Sequence, residues 1–213
     1  MNQVSKLKKL EKLSYFDKNT LLQVICLRDN SLYANIKRWL RTGRLIQLKR
    51  GLYVTDIFYS SMADKTSYAE FVANKLREPS YLSLEYVLQK YGMLTEAVYG
   101  YTSVTLKTKK AYKNRLGVFS YNSISPKFFT GYEVREIGQF SVYEATKAKA
   151  LFDYLYLKFF RTTNITKEMF ESFRLNLDSF TRQDVRELKG YCDKAGIEKY
   201  RKLVKIIGGQ IDK

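Results

Sequence analysis

The sequence predicts an α+β fold in two parts, from three observations. Residues 30–54 read as a short basic helix, stopped by a glycine and followed at once by a tight hairpin. From residue 99 to residue 143 the pattern changes to short runs rich in Tyr, Thr and Val, separated by turn residues, as strands require. From residue 145 onward apolar residues recur at helical spacing. Strands grouped together and then helices grouped together, without strict alternation, mark the α+β class.

Residues 4–13 carry leucines at 7, 10 and 13 with lysines between them, which predicts a short amphipathic helix with a basic outer face. Residues 17–20 (Asp-Lys-Asn-Thr) supply N-cap side chains before Leu21, Leu22, Val24 and Ile25, the expected first helix of a pair. Arg28, Asp29 and Asn30 form the expected turn. Residues 31–41 form the second helix, with Leu32, Ile36, Trp39 and Leu40 on one face. Tyr33, Asn35, Lys37, Arg38 and Arg41 face outward or flank that stripe, and Gly43 ends the helix. Residues 44–48 then alternate polar and apolar, Lys49, Arg50 and Gly51 turn, and Leu52, Tyr53 and Val54 return.

Helix, glycine stop and basic hairpin in this order predict a winged helix-turn-helix over residues 1–56. A polar, cationic helix face suits the major groove, and a cationic hairpin tip suits phosphate or the minor groove. The candidate DNA contacts are therefore Tyr33, Asn35, Lys37, Arg38, Arg41, Arg44, Lys49 and Arg50. Taken singly, Arg38, Arg41, Lys49 and Arg50 read more readily as an ordinary solvated face, and it is the order of helix, stop and hairpin that favours DNA contact. Trp39 belongs to the helix core and not to a base stack.

Residues 57–213 form the second part, a mixed domain with a small antiparallel sheet and a helical C-terminus. Residues 65–77 look helical, with Tyr68, Phe71, Val72 and Leu76 along one side. Pro79 leads into a helix over 84–91, stopped by Gly92. Strands are expected over 99–106, 117–124, 133–137 and 140–143, antiparallel given their short connections. Residues 145–160 carry the strongest helical pattern, with Ala148, Leu151, Phe152, Leu155 and Phe159 on one face. Three more helices fit 166–176, 181–195 and 197–207, and Thr181 opens a sequence that resembles a cap.

Charge points to the partner. The chain has 38 Lys+Arg against 21 Asp+Glu, a formal net charge of +17. Residues 1–54 hold 12 basic and 3 acidic residues, so one quarter of the chain carries about half the excess. Such an excess favours a polyanion through counterion release, with a lysine-rich host composition as the bland alternative. No apolar run approaches the ~20 residues of a transmembrane helix, and the N-terminus lacks the apolar stretch of a secretory signal. Cys26 and Cys192 stand apart with no CxxC, which fits a reducing cytoplasm.

The chain contains no histidine, which removes Ser–His and Cys–His nucleophile pairs and His-ligated zinc. Neither GxGxxG nor GxxxxGK[ST] occurs. A metal-dependent nuclease needs only carboxylates and a lysine. The nearest set is Glu144 with Lys147 and Lys149, whose intervals of three and five do not place Glu and Lys on one strand face. The expectation is no enzyme, no metal and no cofactor.

Four segments carry a family pattern: ANIKRWLRTGRLIQLKRGLYV (34–54), PSYLSLEYVLQKYGMLTE (79–96), YGYTSVTLKTKK (99–110) and VYEATKAKALFDYLYLK (142–158). Together they resemble the AbiEi-type antitoxins of type IV toxin–antitoxin pairs, which are linked to abortive phage infection. The likeness runs from about residue 15 to about residue 160. It implies an N-terminal winged helix that binds inverted repeats in its own promoter and represses transcription. It also implies a larger domain that counteracts a nucleotidyltransferase-type toxin. The DNA-reading role carries over to Tyr33, Asn35, Lys37, Arg38 and Arg41, with Arg44, Lys49 and Arg50 at the wing.

The resemblance assigns no residue to toxin neutralisation; the candidate is the basic surface Lys107, Lys109, Lys110, Lys113 and Arg115. Family members often carry Pro-Glu-x-Ala-Leu-Leu-Asp where this chain has Lys147-Ala-Lys-Ala-Leu-Phe-Asp153, so the Asp is kept and the Pro-Glu is not. Asp153, beside an apolar face, reads as a buried hydrogen-bonding residue. The competing function is a stand-alone winged-helix regulator whose C-terminal domain senses a ligand or dimerises, which leaves that basic surface unexplained.

Overall fold

The computed structural model describes residues 6–25 and 29–211. Val4, Cys26 and the Arg28 part of the expected turn lie outside them. The chain forms two compact units, residues 1–72 with 112–118, and residues 73–111 with 119–213. The first runs beyond residue 56 and takes in a hairpin tip from later in the chain.

In the first unit, residues 6–10 are helical, the last three as a 3₁₀ turn, with Leu7 and Leu10 buried and Leu13 at the surface. Strand β1 (Phe16–Asp17) and helix α1 (Lys18–Ile25) follow. Asp17 starts α1 as expected, accepting bonds from the Thr20 amide at 2.8 Å and its hydroxyl at 2.9 Å. Helix α2 (Asp29–Arg41) already includes residues 29 and 30, which the sequence placed in the turn. Gly43, at φ 70°, donates to Leu40 O, and Arg44 N–H donates to Trp39 O at 2.9 Å. This is a Schellman stop, and it aims the chain directly into strand β2 (Leu45–Lys49). Strand β3 (Leu52–Thr55) returns antiparallel, with a bulge between Gln47 and Lys49.

The two-residue β1, too short to show any periodicity, completes a sheet of order β1-β3-β2 by pairing Phe16 with Tyr53. Beneath the helices and this sheet lies one apolar cluster of Leu7, Leu10, Phe16, Leu21, Ile25, Leu32, Ile36, Trp39, Leu45 and Tyr53. Helix α3 (Asp56–Ser61) follows, capped by Thr55, and the boundary between the units falls within α4 (Lys65–Leu76).

The second sheet has the order β6-β7-β5-β4-β9-β8, with β4 (Ser80–Leu82), β5 (Tyr101–Thr105), β6 (Lys110–Asn114), β7 (Gly117–Ser123), β8 (Tyr132–Ile137) and β9 (Phe140–Ala145). It is mixed, which corrects the antiparallel expectation. β5 and β7 are parallel neighbours, because β6 turns the chain back between them. β4 and β9 are also parallel, meeting at Leu82 and Glu144. The sequence pattern missed both added strands: β4 is only three residues long and wholly buried, and β6 is largely polar.

Helices α5 (Glu85–Lys90) and α6 (Lys147–Lys158) pack together. Residues 148–155 of α6 are all buried, so the expected one-sided helix is enclosed all round. The helix expected over 166–176 shrinks to α7 (Lys167–Glu171). Beyond it Arg174 turns to φ 49° and the Asn176 amide donates to Met93 O at 2.9 Å, a tertiary bond that ends the helical ladder. Thr181 and Asp184 form a reciprocal capping box at the start of α8 (Arg182–Ala195). Gly196, at φ 71°, separates α8 from α9 (Glu198–Ile211), which packs against it.

Candidate nucleic-acid interface

Helix α2 buries Leu32, Ile36 and Trp39, spaced to fall on one face, and so commits its opposite face to solvent. Tyr33, Lys37, Arg38 and Arg41 are exposed there, and Asn35 is half-buried. The Asn35 amide donates to Ser31 O at 2.7 Å, and Arg38 Nη2 donates to Asn35 Oδ1 at 2.6 Å. Asn35 thereby steers the Arg38 guanidinium along the helix surface. Arg38 and Arg41 also lie in the last turn, where cations complement the helix C-terminus, so part of their role is local.

The hairpin places a second set of cations. Arg50 and Gly51 form its tip, and Gly51 takes φ 80°, a left-handed conformation that glycine adopts without cost. Arg50 is exposed at that tip, Lys49 is half-buried, and Arg44 stands exposed at the hairpin's foot. Among the described residues Lys37, Arg41, Arg44 and Arg50 meet no carboxylate, so their charge is available to a ligand. Helix and tip share one electrostatic neighbourhood around Tyr53. Burial pushes the Tyr53 phenol up and Tyr33 adds to this, while Lys18 and Arg50 oppose it.

Lys18 is the residue that sequence reasoning passed over. Its ammonium sits 4.4 Å from the Tyr33 ring centroid, and its amide donates to Gly51 O at 3.2 Å. It joins the α2 face to the hairpin tip. The sequence signal was present but read as part of a helix cap.

The five basic residues from 107 to 115 divide between the two units. Lys107, Lys109 and Lys110 belong to the second unit, whereas Lys113 and Arg115 belong to the first. Arg115 is engaged within its unit: it pairs with Asp56 and lies 5.6 Å from the Tyr59 ring. Lys110 and Lys113 project from β6, the outer strand of its sheet, where lysines guard against edge-to-edge pairing.

The carboxylates and lysines weighed for nuclease chemistry are dispersed into separate ion pairs. Glu144 accepts from Lys90 at 2.7 Å and from Arg135 at 3.0 Å. Lys147 pairs with Asp184 at 3.1 Å. Lys149 is fully buried and donates to Asp153 one helical turn on. Asp153 also accepts from Tyr81 Oη at 2.9 Å and Ser83 Oγ at 2.8 Å. The buried hydrogen-bonding role read for Asp153 is what the structure has. Two segments about 70 residues apart, 79–96 and 142–158, therefore converge on one carboxylate.

Burial drives the Asp153 carboxyl up and the Lys149 ammonium down from their ordinary values, while their mutual attraction and the two hydroxyl donors act against both shifts. The aromatic rings of Tyr81, Phe152 and Tyr191 surround Lys149 at 5.1–5.7 Å. Among the described residues no three His, Cys, Asp or Glu side chains group as a metal site, and no helix is long and apolar enough to cross a membrane. Compared with protein-family models the chain matches none, and compared with curated proteins it again finds no match.

Proposed function

We propose that residues 6–55 form a winged helix-turn-helix that docks on duplex DNA, and that the protein is an AbiEi-type antitoxin repressing its own operon. The exposed face of α2, lying beside a cationic hairpin tip, is the observation that carries the DNA half of this reading. At 1.5 Å per residue α2 is about 20 Å long, enough to lie along a major groove about 12 Å wide. Tyr33, Asn35 and Lys37 face base edges, while Arg38, Arg41, Arg44 and Arg50, with Lys18, sit on flanking phosphates.

About five phosphate contacts give a log–log salt slope near −4 to −5. A flat salt response of promoter binding would remove the helix and hairpin from the interface. The antitoxin half rests on the resemblance of residues 34–54, 79–96, 99–110 and 142–158 to that family. It assigns the opposition to a nucleotidyltransferase-type toxin to the second unit. Co-expression with the adjacent gene tests it: the full chain restores growth, and Arg38→Ala with Arg41→Ala loses promoter binding but still restores growth. Loss of protection in that folded double variant would sink the division of labour.

A further inference from the structure

We propose that a groove in the second unit binds nucleotide units, phosphate together with an unstacked base, offered by an unpaired nucleic-acid strand or as free nucleotide. It stands apart from duplex binding, which concerns the first unit. Two adjoining hollows make the groove. One, of about 840 Å³, is lined by Lys109, Tyr156, Lys158, Phe160 and Arg161. The other, of about 670 Å³, shares Lys109, Asn122, Leu157 and Lys158 with it and adds Glu85 and Glu96. Each hollow lies within the roughly 300–1,000 Å³ range of small-ligand sites, and two in line admit more than one nucleotide.

The charge is graded along this groove. The first hollow carries three cations and no carboxylate, and the second balances two of those cations with Glu85 and Glu96. Lys158 is held in place, 3.6 Å from Glu85 and 5.0 Å from the Tyr154 ring. Lys109 and Arg161 have no partner among the described residues. A phosphate belongs in the first hollow, where Lys109 and Arg161 both line the wall. The carboxylates at the other end can accept bonds from sugar hydroxyls or base amino groups.

Phe160 supplies the base-binding element. It is 61% exposed, an unusual setting for phenylalanine, and its ring meets the Tyr156 ring edge-on at 5.9 Å. Free cations beside an exposed ring are the components with which proteins hold unpaired strands, the ring stacking a base and the cations tracking the backbone. A duplex covers its base faces, so it cannot use this ring. The backbone under the site is fixed: the Lys199 ammonium donates to Phe159 O at 2.9 Å, Phe160 O at 3.2 Å and Thr162 O at 2.7 Å. Phe160 and Arg161 are thus presented on a clamped segment at the end of α6.

Fluorescence anisotropy of the full chain carrying Arg38→Ala and Arg41→Ala, with a labelled six-nucleotide single strand, tests the groove with the first unit's contribution reduced and common to every variant compared. Phe160→Ala should weaken binding about tenfold, the loss of one stacked base, while Phe160→Trp keeps it. Lys109→Ala with Arg161→Ala should weaken binding further and lower the salt slope by about one. Displacement of the strand by ATP identifies free nucleotide as a ligand; persistence against ATP identifies the strand. Equal affinity for a blunt duplex, no binding, or a Phe160→Ala variant displaced by inorganic phosphate as readily as the parent would each overturn the proposal. Promoter binding by the Lys109→Ala, Arg161→Ala chain is a separate readout, so failure of one proposal leaves the other standing.

Discussion

Lysine is used in two opposite ways in this protein. On α2 of the first unit Lys37 stands in solvent beside Arg38 and Arg41, paired with no carboxylate among the described residues, and its charge faces water. On α6 of the second unit Lys149 is wholly buried, and its charge is consumed at home by Asp153. The difference teaches that a cation's neighbours, not its identity, decide its role. In water a charge costs little to hold and contributes little to stability. In a protein interior it is tolerated only with every partner in place, so it dictates which segments must meet.

The sharpest way to break this contrast is Lys149→Ala. It leaves the Asp153 carboxyl buried without its cation and should cost about 3–5 kcal/mol in urea unfolding. The paired change Lys149→Met with Asp153→Leu should recover most of that loss, because no uncompensated charge remains. A single variant within 1 kcal/mol of the parent would mean that water reaches the pair. Removing Trp39, the largest buried side chain of the first unit's core, with Trp39→Ala should cost a similar ~3–5 kcal/mol, a comparison in which no charge is involved.

A smaller effect lies at the α8 cap. Burial pushes the Asp184 carboxyl up, but the bonds from Thr181 and the Lys147 ammonium outweigh it and hold the group below the ordinary aspartate value. A depressed folded pKa stabilises above the unfolded value of about 4, and that stability is lost as pH falls through the lower folded value. Thr181→Ala should therefore cost about 1 kcal/mol at pH 7, and its gap from the parent should narrow below about pH 4. Smallest of all, Arg38→Ala with Arg41→Ala should change stability by no more than about 0.5 kcal/mol, even as the proposed promoter binding is lost. A larger loss of stability would show that these arginines chiefly serve the end of α2.

Much of the first unit was legible before any coordinates. Leu32, Ile36 and Trp39 repeat at helical spacing, Gly43 marks the stop, and Gly51 marks the hairpin turn, so the pattern is local and strong. The three residues of β4 and the two of β1 were not legible, since a strand that short has no periodicity and forms only because a neighbour offers its edge. The parallel pairs in the second sheet were missed for a related reason: short connections argue for hairpins only when no unseen strand intervenes. Lys18 escaped notice as a neighbour of the α2 face because its contact with Tyr33 crosses between α1 and α2.

The sequence by itself determined the charge, the absence of histidine, the amphipathic faces and the turns, because each depends on residues within one helix or hairpin length. Only the tertiary structure decided that Tyr81, Ser83 and Lys149 meet on Asp153, that Arg115 is taken up by Asp56, and that Phe160 is left bare in a hollow that Lys109 and Arg161 also line. Such outcomes turn on which distant segments share a desolvated space, and burial, which sets the worth of every charge and ring, is a property of the packed chain.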